Sequence, residues 1–362
     1  MTNRVFNFSA GPCTLPLPIL EKAAGEFVDY QGAGMSIIEM SHRGKHYDEA
    51  HHACLSNLRE VLAVPDSHDI LLLQGGATLQ FAMVAMNLKA DGKTAEYTRT
   101  GTWAKKAIAD AEKIGPTRVI WDGEGEKFTR IPKADELKIG DDAAYLHITG
   151  NETIGGIEWH EYPDSGDVPL VSDASSHVMS RAVDWGRTDV LYAGAQKNLG
   201  PAGVALIIIR KDLIDRCGDD IPAYLAYKTH APKESMYNTP PVFPIYMMNL
   251  DLEWVKAQGG IAAMEKLAIE RSGLIYKVVD ESGGWFSCPV DEASRSRMNV
   301  VWRLPTEELE KKMVVEGLAA SMTNLKGHRS VGGCRASMYN AMPVEGAAKL
   351  AQFMVDFKKA NS

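Results

Sequence analysis

Tyr192-Ala-Gly-Ala-Gln-Lys197-Asn-Leu-Gly-Pro-Ala-Gly203 decides how the rest of the chain is read. It sets one lysine between two apolar runs, Val190–Ala193 and Gly203–Ile209, in surroundings with almost no other charge. Runs of the same kind recur upstream at Asp69–Leu73, Ala143–Ile148 and Pro169–Ser172, each stopping at polar or glycine residues. Amphipathic stretches separate them, such as Thr78–Asn87 after Gln74-Gly75-Gly76. Short strands alternating with helices imply an α/β fold with a mostly parallel sheet covered on both faces. In such a sheet the chemistry collects at the carboxyl ends of the strands. Tyr237-Asn238-Thr239-Pro240-Pro241 breaks the pattern, and helices are expected beyond it at Ile245–Gly259 and Ile261–Ser282. From Asn299 the chain reads as a smaller α+β unit. It has an apolar run to Leu304, a charged helix over Thr306–Ala320, a glycine-rich turn at Gly327–Gly333 and a last helix from Val344. The expected organisation is an N-terminal segment over residues 1–15, a large domain over 16–262 and a small domain over 263–362.

The 362 residues carry 39 Lys and Arg against 47 Asp and Glu, a net charge of −8. A chain this acidic has no bulk attraction for nucleic acid or an anionic membrane. Its basic clusters are short and lack interleaved aromatics, so neither is an expected partner. The five cysteines, Cys13, Cys54, Cys217, Cys288 and Cys334, form no CxxC pair and no set with zinc-finger spacing. Reduced thiols and no metal site are expected, as in the cytoplasm. No apolar run approaches the roughly 20 residues of a membrane span, and MTNRVFNFSAGP has no signal-like apolar stretch.

Desolvation lowers a lysine's pKa and frees its amine to form a Schiff base with a carbonyl. A lone loop lysine is more commonly a solvated side chain, and the company of Lys197 is what sets it apart. Asp173, in Val171-Ser-Asp173-Ala-Ser-Ser-His177, lies 24 residues earlier, just after an apolar run. An acid at the end of a buried strand can hold a positive charge inside the protein, such as the pyridine nitrogen of pyridoxal phosphate (PLP). Taken alone, such an acid is more commonly a helix N-cap. Gln74-Gly-Gly-Ala-Thr78-Leu-Gln80 opens a helix, whose N-terminal N–H groups suit a phosphate, with the Thr78 hydroxyl beside them. It is neither a Walker A sequence nor GxGxxG, and a plain strand-to-helix turn is the alternative. Trp103 offers a flat face for ring stacking, or a core residue. Ser41-His42-Arg43-Gly44-Lys45 and the stretch Lys326–Arg335 are basic clusters beside glycines. They suggest small-anion sites, one for a carboxylate and one for a phosphate, unless they are scattered surface charge.

Together these segments resemble the phosphoserine aminotransferases, PLP-dependent transferases of fold type I. The resemblance is carried by FNFSAGP at Phe6–Pro12, EMSHRGK at Glu39–Lys45, GGATLQF at Gly75–Phe81, GTWA at Gly101–Ala104 and NETIGG at Asn151–Gly156. It continues through SDASS at Ser172–Ser176, YAGAQKNLGPAG, YNTPP at Tyr237–Pro241, SRMNV at Ser296–Val300, GHRSVGGCRAS from Gly327, and YNAMP at Tyr339–Pro343. It covers nearly the whole chain, in order. The resemblance implies a large PLP-binding domain, a small C-terminal domain and an N-terminal segment that joins the active site to the small domain. It implies that Lys197 carries the Schiff base and shuttles the proton, that Asp173 pairs with the pyridine nitrogen and that Trp103 stacks on the ring. Thr153 would bond the phenolic oxygen, and Ala77, Thr78 and Gln196 the cofactor phosphate. Asn238 and Thr239 would reach that phosphate from a neighbouring subunit, which implies a homodimer with shared sites. Ser9 and Arg43 would meet the amino-acid substrate and Arg335 its α-carboxylate; His42, His328 and Arg329 would cradle a substrate phosphate. Some relatives carry Arg where this chain has Thr78.

The implied reaction is a ping-pong transamination from L-glutamate to 3-phosphohydroxypyruvate, a step of serine biosynthesis. The same chemistry would serve a phosphorylated hydroxythreonine precursor of pyridoxine. Alternatives are another small-domain PLP enzyme, such as an alanine–glyoxylate aminotransferase or a cysteine desulfurase, and a non-catalytic phospho-ligand-binding protein. No cysteine sits in the polar Gly/Ser-rich loop a desulfurase needs, and a Schiff-base lysine with its paired acid has no purpose without the cofactor.

Overall fold

The computed structural model describes residues 4–362; residues 1–3 of the expected N-terminal segment lie outside them. The chain begins with strand β1 (Phe6–Asn7) and helices α1 (Leu17–Glu26) and α2 (Lys45–Val61). Strands and helices then alternate: β2 (His68–Leu73), α3 (Gly76–Leu88), β3 (Thr94–Arg99), α4 (Thr102–Ala111), β4 (Thr117–Asp122) and β5 (Ala143–Thr149). A small hairpin, β6 (Asn151–Glu152) and β7 (Ile157–Glu158), precedes β8 (Leu170–Asp173), β9 (Val190–Gly194) and β10 (Ala205–Arg210). Short helices α5 (Lys211–Ile214) and α6 (Tyr227–His230) lead to α7 (Val242–Ala257) and α8 (Gly260–Asp280). The C-terminal part holds β11 (Asn299–Trp302), α9 (Glu307–Ala319), β12 (Met322–Thr323), β13 (Cys334–Ser337) and α10 (Val344–Asn361).

Seven strands make the central sheet in the order β2-β10-β9-β8-β5-β3-β4. All pairings are parallel except those of β10, which runs antiparallel to β2 and β9. Successive residues of a strand point to opposite faces, and both faces here are apolar. Leu71, Leu73, Tyr192 and Ile207 join Phe81 and Val84 of α3 in one core. Ile70, Leu72, Leu191 and Ile208 join Leu58 of α2 and Leu252 of α7 in the other. A third core fills the C-terminal part, where Phe8, Val300, Trp302, Met313, Ala336 and Leu350 meet. Helix α8 belongs to both regions, since Met264 lies in the second core and Ile275 and Val279 in the third. The N-terminal segment is tied to the same part, because β1 pairs in parallel with β12, Phe6 opposite Met322.

Some boundaries differ from the sequence expectation. Helix α3 starts at Gly76, not Thr78, because Gly75 adopts a left-handed φ of 91° that turns the chain directly from strand to helix. Helix α7 starts at Val242, ahead of Pro244, which its first turn accommodates since those N–H groups have no intrahelical partner. Strand β3 lacks the apolar runs that mark the others, and β4, at the sheet edge, carries only Val119–Trp121 between polar ends. Their polar residues satisfy one another: Arg118 Nε donates to the buried Glu96 Oε1 at 2.9 Å. Among the described residues, no helix is long and apolar enough to cross a membrane.

Candidate active site

The carboxyl ends of β8 and β9 open into a cavity of about 560 Å³. Lys197 sits three residues past β9, on the connection that reverses into β10, and its side chain is only 8% exposed. Its Nζ donates to Thr153 Oγ1 at 2.7 Å. Burial lowers its pKa to about 8, Arg335 adds to the lowering, and Asp173 opposes it. Much more of its amine is therefore neutral near physiological pH than in a solvated lysine.

Asp173 is the last residue of β8 and lies on the same cavity. Its Oδ1 accepts from the Ser175 N–H at 2.9 Å in a local turn, and no helix starts there, so the helix-cap alternative does not apply. Burial pushes its carboxyl up, opposed first by the Ser175 hydrogen bonds and then by Lys197. Among the described residues it forms no salt bridge. A buried acid short of a counter-charge is the chemical complement of a buried cation.

Trp103 lies in the first turn of α4, with Lys106 Nζ 4.4 Å from its ring centroid. Its indole Nε1 is buried without a partner. What holds that turn is Glu152, a residue the sequence reading did not single out. Its carboxylate accepts from the backbone N–H groups of Trp103 at 3.0 Å and Ala104 at 2.9 Å. Burial raises its pKa to about 7 despite those two bonds. A Cβ at Gly101 would sit 2.5 Å from Glu152 Cδ, so only glycine admits the carboxylate here. The NETIGG motif contained the signal, an acid directly before the cofactor-side threonine.

Gly76, Ala77 and Thr78 of α3 present a helix N-terminus to the cavity, with no acid in its first turn. Opposite, Arg335 of β13 donates from Nη1 to the Thr153 carbonyl at 3.2 Å, while its Nε is buried and unpartnered. Arg329 and His328 line the same wall. Burial holds the His328 imidazole below its usual range, and the positive charges of Arg335, Arg329 and Lys106 push it the same way. So many cations turned to one space favour an anion between them.

The cavity thus gathers Lys197, Asp173, Trp103, Thr153 and Gln196 with Ala77 and Thr78, and adds His328, Arg329 and Arg335. Ser9, His42, Arg43, Asn238 and Thr239 do not line it. Ser9 is half-buried, its N–H donating to Asn7 Oδ1 at 3.1 Å. Arg43 is exposed, and half-buried His42 has a buried Nε2 without a partner. Asn238 and Thr239 are exposed, and the Thr239 carbonyl accepts from Gln74 Nε2 at 3.4 Å. The donor set suits PLP: a neutral amine for its aldehyde, an acid for its ring nitrogen, an indole for its face and a helix N-terminus for its phosphate.

Residues 5–350 match the aminotransferase class-V family. A phosphoserine aminotransferase of Geobacillus kaustophilus is 49% identical over 98% of this chain and 99% of its own length. The solved structure of phosphoserine aminotransferase from Bacillus circulans subsp. alkalophilus superposes with a TM-score of 0.98 at 46% identity, covering 100% of both chains. PLP-bound phosphoserine aminotransferase from Trichomonas vaginalis superposes with a TM-score of 0.93 at 38% identity, covering 97% of this chain and 100% of its own. The chain belongs to the aminotransferase class-V family, among the phosphoserine aminotransferases.

Proposed function

We propose that the chain is a PLP-dependent phosphoserine aminotransferase. It moves the amino group of L-glutamate to 3-phosphohydroxypyruvate, giving 2-oxoglutarate and O-phospho-L-serine for serine biosynthesis. The observation that carries this reading is the buried, pKa-lowered amine of Lys197, which shares one cavity with the unpaired acid Asp173 and the cations Arg335 and Arg329.

PLP, when bound, supplies an electron sink for the carbon that bears the amino group. Lys197 would take the proton from the substrate Cα and return it on the far side of the transferred nitrogen, and its low pKa suits both directions at neutral pH. Asp173 would hold a proton on the pyridine nitrogen. Trp103, fixed by Glu152, orients the ring, and Thr153 holds the phenolic oxygen and steadies the lysine. Ala77, Thr78 and Gln196 take the cofactor phosphate. Arg335 takes the α-carboxylate with its planar fork, and Ser9 and Arg43 meet the amino acid. His42, His328 and Arg329 hold the substrate phosphate.

His42, Arg43, Asn238 and Thr239 stand apart from their own chain's cavity, which supports a homodimer whose partner supplies them. We read residues 16–262 as the domain that binds the cofactor, 263–362 as the one that brings Arg335, and the N-terminal segment as their tie. The five free cysteines fit work in the reducing cytoplasm.

The near-visible absorbance of the purified protein tests the reading. A yellow protein that bleaches with L-glutamate and recovers with 3-phosphohydroxypyruvate is expected. Yellow protein indifferent to glutamate would move the function to another PLP reaction, and protein that cannot take up PLP would end it.

A further inference from the structure

Two of the segments that carry the family resemblance, SRMNV and YNAMP, have no role in the mechanism above, yet each contributes a side chain to one buried polar cluster. Asn299, in the first, is fully buried at the start of β11. Its Nδ2 donates to Ser337 Oγ at 2.8 Å and to the Tyr339 hydroxyl oxygen at 3.1 Å. Its Oδ1 accepts from Asn151 Nδ2 at 2.7 Å. Tyr339, at the start of the second motif, donates its own proton to the Ala10 carbonyl at 2.8 Å. The phenol oxygen can then only accept from Asn299, which settles which way the carboxamide faces. Asn151 is anchored in turn, since its Nδ2 also donates to Ser176 Oγ at 2.8 Å.

Geometry gives the cluster its reach. Asn299 lies opposite Ser337 in the β11–β13 ladder, and Arg335 is two residues along β13 on the same face. Asn151 begins the hairpin that leads into Thr153, the partner of both Lys197 and Arg335. Ala10 belongs to the N-terminal segment and borders the cavity. One carboxamide therefore joins three separate pieces of the cavity wall.

We propose that Asn299 is a positioning residue for transamination, which sets the strand carrying Arg335 against the hairpin carrying Thr153 at the distance a substrate carboxylate requires. The inference rests on the reading of Arg335 as the carboxylate ligand. Asn299 does not line the cavity, so its loss acts through Arg335.

Two variants test this in the holoenzyme. Asn299→Asp keeps the shape but replaces the donor with an acceptor, and Tyr339→Phe removes only the hydroxyl. Each should raise the KM for L-glutamate and the dissociation constant of glutarate, an unreactive dicarboxylate followed by calorimetry. The expected rise is about tenfold for Asn299→Asp and smaller for Tyr339→Phe. The dissociation constant of PLP, from absorbance titration of the apoprotein, should rise by a smaller factor than that of glutarate, since Lys197 and the N-terminus of α3 would hold PLP as well. Arg335→Ala serves as the reference. If it weakens glutarate while both network variants bind normally, the network proposal falls and the role of Arg335 stands. If Arg335→Ala itself leaves glutarate binding unchanged, the reading of Arg335 falls and takes this proposal with it. Equal losses of glutarate and PLP affinity, tracking a lowered Tm, would reduce Asn299 to a structural residue and also overturn the proposal.

Discussion

Lys197 and Asp173 hang from strands in the middle of a sheet covered on both faces, whereas Arg329 and Arg43 stand on loops that solvent reaches. In the floor, water is excluded and each charge is felt by its neighbours almost unscreened. Lys197 thus loses affinity for its proton through burial and Arg335, while Asp173 gains it. On the rim the cations are hydrated, and salt weakens what they do. Floor residues should therefore act singly and heavily, while rim residues should share the work and act mainly on binding.

The heaviest expected loss is that of Lys197→Ala, which on the proposed reading removes both the attachment point and the base. Measurable turnover at the wild-type rate would break the comparison at its root. Asp173→Asn comes next. Breaking the buried charge pair that Asp173 would form with the cofactor's ring nitrogen costs about 3–5 kcal/mol, so kcat should fall by about two to four orders of magnitude with little change in either KM. On the rim, Arg329→Ala removes a charge-assisted bond of about 1.5–3 kcal/mol. Its KM for 3-phosphohydroxypyruvate should rise about 10- to 100-fold, with that for glutamate nearly constant and the difference shrinking as salt is added. Equal effects on both substrates would show that the phosphate is held elsewhere.

A mixing experiment sharpens the same contrast, because it asks whose rim completes whose floor. Lys197→Ala and Thr239→Ala subunits, each impaired alone, should recover activity when denatured and refolded together. Half the dimers are then mixed and each holds one intact site, so about a quarter of wild-type activity is expected. Without recovery, the partner contributes nothing through Thr239. The smallest effect concerns pH. Lys197 has a lowered pKa, so the neutral, nucleophilic amine grows as pH rises towards about 8 and saturates above it. The rate at which apoprotein captures PLP should climb and level in that window. A climb continuing towards pH 10 would describe a solvated lysine instead.

How much of this was legible in the sequence differs by region for a physical reason. Strands β2, β5, β8, β9 and β10 are buried on both faces and read as continuous apolar runs. β3 and β4 are not legible in the same way, because a buried Glu96 and its partner Arg118 look like loop residues until they are paired. Glu152 does not stand out within NETIGG, since nothing in its neighbours announces that a helix N-terminus 48 residues earlier needs a cap. The basic clusters looked alike on paper. One turns into the lysine cavity and the other does not.

By itself the sequence determined the alternation of strand and helix, the two covered faces and the chemical inventory: an amine, an acid, an indole, a helix N-terminus and two groups of cations. All of these follow from residues within a few positions of one another, where periodicity and charge act. Tertiary structure alone decided that Thr153 and Arg335, 182 positions apart, would meet, and that Asn151 and Asn299, 148 apart, would share a hydrogen bond. Such meetings depend on how three hydrophobic cores pack against one another. Packing is a property of the whole chain's buried surface, and no local spacing records it.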